Sequence, residues 1–143
     1  MLKSILPDTP LILSASRTKD MVHRSPGLLA DILLGKAPCR WGPHGPAGIV
    51  DPSSLHTVVL WTKDPGNILH HPGLKAALRE LHDRHSVQIS LQLTATGLGG
   101  TVMEPGIAPW QQIRDTLARI LAEGWIHPEA VIYRYDPFLS VRI

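Results

Sequence analysis

Cysteine is almost missing from this 143-residue chain, where Cys39 stands alone. A single thiol excludes an internal disulfide framework and suits a reducing compartment. It also excludes an iron–sulfur cluster held by several cysteines of this one chain. Net charge is nearly as scarce. Fourteen Lys and Arg against twelve Asp and Glu leave a formal +2 at pH 7, too little for polyanion binding through bulk charge, so any basic patch must be local. Long apolar runs are lacking too. The opening MLKSILPDTPLILSASR has prolines at 7 and 10, an apolar stretch far shorter than a membrane span and no signal-peptide layout, which predicts a cytoplasmic protein with no membrane partner. There is no P-loop lysine pattern, and no helix opens directly after the glycines as a dinucleotide fingerprint requires.

What is present is ordinary globular composition, 43% hydrophobic and 18% charged, enough for one domain over 1–143 with a proper core. Four stretches share one grammar: Leu11–Asp20 (LILSASRTKD), Val58–Pro65 (VVLWTKDP), Val87–Gly97 (VQISLQLTATG) and Val131–Pro137 (VIYRYDP). Each is a short apolar run that breaks into hydroxyls and charges. Such runs read as fully buried strands of a parallel sheet, with their polar ends on one rim, where α/β proteins bind ligands.

Helical patterns separate the runs. Ser25-Pro26 opens a helix with serine as cap, Leu28, Leu29, Ile32 and Leu33 form its apolar stripe, and Gly35 ends it. His70-His71-Pro72 precedes a helix to about His85 with Leu74, Ala77, Leu78 and Leu81 facing the sheet, and Pro109 opens another that Gly124 stops. Strands are expected near Leu11–Ser16, Thr57–Trp61, Val87–Thr94 and Ala130–Tyr135. The Gly/Pro-dense Lys36–Ser54 is too long for a bare connection. It predicts a small hairpin of Ala37–Trp41 against Gly48–Asp51, against which its four prolines argue. Together these predict an α/β fold: a partial TIM-type (β/α) barrel of about four parallel strands with helices outside and a hairpin-like excursion near 37–51. A whole barrel needs about 200 residues or more, so the chain holds half to two-thirds of one or else a four-stranded open sheet, and the last strand is expected as a bare edge unless a partner or further segment covers it.

Arg17, Lys19, Lys63 and Arg134 fall at or just past strand ends and should converge on one rim, favouring a phosphate or carboxylate. Pairing with Asp20, Asp64 and Asp136 into a structural network is the competing account. Asp20 is the better functional acid because no proline follows it, whereas Asp64-Pro65 and Asp136-Pro137 fit turn or cap chemistry. Ser14, Ser16, Thr62, Thr94 and Thr96 could hydrogen-bond a ligand or satisfy free backbone groups. The ligand contacts expected are thus Ser16, Arg17, Lys19, Asp20, Thr62, Lys63, Thr94, Arg134 and Asp136. Gly97, Gly99 and Gly100 fit a flexible turn better than a phosphate loop. None of the eight histidines has an acidic or cysteine partner at ligand spacing, so no metal site is expected. Cys39 fits a packing role better than a reactive thiol, and Trp61 either stacks on a ligand ring or packs in the core.

Four ordered motifs, Ser14–Asp20 (SASRTKD), Trp61–Pro65 (WTKDP), Leu93–Gly99 (LTATGLG) and Tyr133–Pro137 (YRYDP), resemble the strand ends of a bacterial family, domain of unknown function 1848. That family's pattern reads Ser-Ala-Ser-Arg-Arg-Thr-Asp, Trp-Thr-Lys-Asn-Pro, Leu-Thr-Gly-Tyr-Gly and Trp-Arg-Tyr-Asp-Pro. Thr18 and Lys19 depart from it, as does Trp41-Gly42-Pro43. The resemblance implies a relative of radical S-adenosylmethionine barrels. Full-length members would use an iron–sulfur cluster and S-adenosylmethionine, with the cysteine cluster near the C-terminus, so no cofactor is expected from this chain alone. The expected function is the N-terminal portion of such a barrel, whose rim binds an anionic small molecule or nucleotide and whose activity needs a C-terminal half. The alternative is a non-catalytic binding or assembly module, a half-barrel homodimer.

Overall fold

Aliphatic and β-branched residues at Leu55–Thr62 form the longest strand of the computed structural model, which describes residues 11–15, 19–40 and 44–134. In chain order the elements are β1 (Leu11–Ala15), α1 (Met21–Arg24), α2 (Pro26–Leu33), β2 (Cys39–Arg40), β3 (Ala47–Gly48), β4 (Leu55–Thr62), α3 (Gly66–His70), α4 (Pro72–His85), β5 (Gln88–Thr94), α5 (Trp110–Ala122) and β6 (Val131–Arg134). Single 3-10 turns at Pro52–Ser54 and Pro128–Ala130 lead into β4 and β6.

The main sheet has the order β1-β4-β5-β6, all neighbours parallel. Spatial order thus follows chain order, which is barrel-like winding; a doubly wound sheet reverses direction partway. The expected partial (β/α) barrel of four parallel strands is the observed architecture. The excursion is the expected hairpin reduced to two residues per arm, Cys39 opposite Gly48 and Arg40 opposite Ala47. Trp41 lies outside the described residues. The prolines at 38 and 46 lack the N–H that would extend the ladder just before each arm, which accounts for the short arms.

Register sorts the strand side chains onto two faces. Leu13, Val58 and Ile89 lie in one row and Ala15, Leu60 and Leu91 in the next, since paired residues of parallel strands point the same way. These are buried and share one core with Val22, Leu29 and Leu33 of α1 and α2, Ile68 and Leu78 of α3 and α4, and Ile113, Leu117 and Ile120 of α5. The reading of strands buried on both sides needs correction here. The opposite face carries Ile12 and Ile132, 69% and 49% exposed, with Ser14 exposed and Val59, Trp61, Ser90, Gln92 and Thr94 half-buried. Four strands are too few to close around that face, so among the described residues only the helix side is sealed.

The helices follow their punctuation closely. In α4, Leu74, Ala77, Leu78 and Leu81 are all buried, and Leu74 N–H donates to His71 Nδ1 at 3.0 Å, so an imidazole does the capping. In α2, Ser25 is the N-cap without a side-chain bond, and Leu28 is 49% exposed while Ala30 is buried, a rotation of the expected stripe. Gly35 ends α2 with φ +73°, and a Cβ there would sit 2.6 Å from the Val50 carbonyl oxygen. The short helices α1 and α3 were not anticipated: one turn is too brief to show a 3.6-residue period.

Candidate functional site

The carboxyl ends of β1, β4 and β5 are knitted together by three acids. Asp20 caps α1, its Oδ1 accepting from His23 N–H at 3.0 Å. Its Oδ2 accepts from the Thr62 hydroxyl at 2.9 Å and from Lys63 N–H at 2.9 Å. That carboxylate therefore ties the start of α1 to the end of β4. Of the turn or cap roles expected for it, Asp64 takes the turn, since the N-cap of α3 is Pro65. Its Oδ1 accepts from Gly66 N–H at 3.1 Å and its Oδ2 from Ala108 N–H at 3.2 Å, with His23 Nδ1 4.0 Å away.

The third acid, Glu104, went unnoticed in the sequence. Its Oε1 lies 2.6 Å from Lys63 Nζ, and its Oε2 accepts from the buried Thr96 hydroxyl. The Lys63 partner is thus Glu104, whereas the competing account paired the rim cations with nearby aspartates. Burial works against ionising Glu104, yet the hydrogen bonds from Lys63 and Thr96 outweigh it and hold the carboxyl below its ordinary range. No spacing signal marks this residue: it lies eight positions beyond Thr96 in a Gly-rich connection and reaches Lys63 only because the loop folds back.

Of the expected contacts, Thr62 is 3% exposed, its hydroxyl donating to Asp20 and accepting from Asp64 N–H at 3.0 Å. Thr94 is half-buried and lines a small cavity with Lys63, Thr96, Gly97 and Trp110. Arg134 pairs with Thr94 in register, and its guanidinium lies 5.3 Å from the centre of the Trp61 ring. Trp61 in turn donates from Nε1 to Ser14 Oγ at 2.8 Å. Lys19 is exposed. Ser16, Arg17 and Asp136 lie outside the described residues.

The larger opening adjoins the small cavity. A cleft of about 540 Å³ is lined by Ala95, Gly97, Gly99, Trp110, Tyr133 and Arg134, together with Pro109 and Gln111. Trp110 and Tyr133 meet edge to face, ring centres 5.6 Å apart at 74°. The walls thus offer a guanidinium, two aromatic rings and glycine backbone at the ends of β5 and β6. Neither ring was singled out for a site in the sequence. Trp110 falls in the helix that Pro109 opens, and Tyr133 in a strand motif.

Among the described residues, no group of three or more His, Cys, Asp or Glu side chains could hold a metal ion. Cys39 lies in β2, away from the rim, and partial burial pushes its thiol up. No described helix is long and apolar enough to cross a membrane.

Fold and site together define a singly wound, barrel-like α/β protein whose polar residues gather at the carboxyl ends of parallel strands. A family model described as Domain of unknown function (DUF1848) matches residues 12–142, and the chain belongs to that family. No curated protein and no solved structure matched it.

Proposed function

We propose that the rim binds an anionic small molecule or nucleotide in the cleft at the ends of β5 and β6. The observation that supports this is the cleft itself: about 540 Å³, inside the roughly 300–1,000 Å³ of small-molecule sites. It carries Arg134 beside Trp110 and Tyr133. A guanidinium takes phosphate or carboxylate through paired N–H donors, and aromatic walls suit a flat ring. Lys63 borders the adjoining cavity as a second cation. Isothermal titration with ADP and with inorganic phosphate tests the reading. Arg134→Ala should weaken ADP binding by roughly tenfold or more, the size of a lost charge-assisted hydrogen bond. Equal affinity in the variant, or no binding of either anion, sinks it.

The wider reading, that this is the N-terminal portion of a radical-SAM-like barrel completed by another half, rests on the strand-end resemblance. An iron–sulfur cluster supplies one-electron chemistry when bound, and such clusters are held by about four thiolates. The residues here do not fit one, because the chain has a single cysteine and it lies in the hairpin. A second reading, a half-barrel homodimer, is favoured by the exposed Ile12 and Ile132 on a sheet face that no described element covers. Two copies joined edge to edge would supply eight strands. Light scattering decides it: a mass near 15.7 kDa at micromolar concentration removes the dimer.

A further inference from the structure

The connection from β5 to α5 folds back on itself before reaching the helix. Gly97 and Gly100 have φ of +71° and +75°, a conformation that glycine adopts without strain. Gly100 N–H donates to the Ile107 carbonyl at 2.7 Å, which closes the segment into a compact loop. A Cβ at Gly99 would lie 2.0 Å from the Ala108 carbonyl oxygen, so the loop's two legs touch. At its tip Val102 and Met103 are 92% and 65% exposed.

Within residues 101–106, the polar bonds are internal to the loop except at one residue. Thr101, Met103 and Glu104 main-chain groups bond inside residues 98–107. Glu104 alone among these described residues reaches another element, through Lys63 at 2.6 Å and the Thr96 hydroxyl. Beneath the loop, beside Lys63, lies a cavity of about 10 Å³, room for about one water molecule. An acid of the chain therefore occupies the lysine that a ligand's negative charge would seek.

We infer that the 98–107 loop is a lid and Glu104 its latch: the carboxylate stands in for the anionic group of the ligand at Lys63, and ligand entry displaces it, while Asp64 Oδ2, accepting from Ala108 N–H at 3.2 Å, anchors the leg that leads into α5. This rests on the anion-binding reading of the same rim. The glycines let the loop swing, and the latch is a charge pair with Lys63, whose side chain is 42% exposed, so competition from a dissolved anion is open. In the displaced state the small cavity and the larger cleft, which share Ala95, Gly97, Gly99 and Trp110, merge under the raised loop.

Hydrogen–deuterium exchange of residues 98–107 in the intact chain separates the two claims. Glu104→Ala and Lys63→Met should each raise exchange there by roughly tenfold or more, as expected for losing a charge-assisted hydrogen bond, with the circular dichroism of the helices unchanged. Inorganic pyrophosphate, the probe anion, should raise the same exchange in the wild type. It should bind Glu104→Ala more tightly than the wild type, and Lys63→Met more weakly. Unchanged exchange in both variants overturns the latch, even where pyrophosphate binds elsewhere on the rim. Freed loops in both variants with no pyrophosphate binding overturn the stand-in role along with the site reading. Freed loops with tighter binding by Glu104→Ala support both.

Discussion

Ser86 ends α4 with φ +54°, a left-handed conformation that costs a residue with a Cβ about 1 kcal/mol and glycine almost nothing. Ser86→Gly should therefore stabilise the protein by roughly 0.5–1 kcal/mol in urea unfolding, a gain read as a higher midpoint at unchanged slope. Asp20 is the opposite case. One carboxylate accepts from His23 N–H, the Thr62 hydroxyl and Lys63 N–H, so Asp20→Ala orphans two partly buried main-chain donors, while the Thr62 hydroxyl keeps the Asp64 carbonyl at 2.9 Å. The expected cost is about 2–3 kcal/mol, a lost cap plus unsatisfied polar groups. Asp20→Asn should recover part of it, since the amide oxygen still accepts. A loss below about 0.5 kcal/mol for the alanine variant would mean that water replaces the carboxylate at no cost. Asp20 was picked from the sequence for the right location, past the end of β1. Its partners were not legible, because Thr62 and Lys63 are more than forty positions away and become neighbours only when β1 and β4 pair.

At the scale of elements, legibility followed length and punctuation. Between His71-Pro72 and Ser86, α4 has four buried apolar residues at helical spacing, and its bounds could be read to within a residue. The single turns α1 and α3 have no period to read, and are held instead by the Asp20 cap and by the turn that Asp64 closes onto Gly66. The loop after β5 was read as a turn, but its closure depends on a glutamate without motif context. Its acid response follows from Glu104, whose folded pKa lies below the ordinary value. A depressed carboxyl contributes stability that is fully present above the unfolded value, about 4.3, and lost as pH falls through the folded one. Loop amides of residues 98–107 should thus lose protection as pH drops below that range, after correction for intrinsic exchange. Glu104→Ala should show no such acid step in this segment, because its loop lacks the titrating group.

For the molecule as a whole, the arrangement of the sheet makes aliphatic residues of similar size differ sharply in what their replacement costs. Leu60 is fully buried between sheet and helices, and Leu60→Ala should cost about 2–5 kcal/mol through lost contacts and a cavity. Ile12 and Ile132 lie on the other face, 69% and 49% exposed, and charged replacements there remove little buried surface. Alternation was visible in β5, where Gln88, Ser90 and Gln92 interleave with Ile89, Leu91 and Leu93, but β4 reads as continuous apolar sequence and hides its two-sidedness. The pair Ile12→Lys and Ile132→Lys should leave urea unfolding within about 0.5 kcal/mol of wild type, as surface changes do. The same pair also tests the dimer reading, since two like charges per copy would be forced into the closed interior of an eight-stranded ring. If the wild type weighs as two copies by light scattering and the doubly charged variant as one, the open face is enclosed when the copies join. If a two-copy mass survives both lysines, that face is not enclosed.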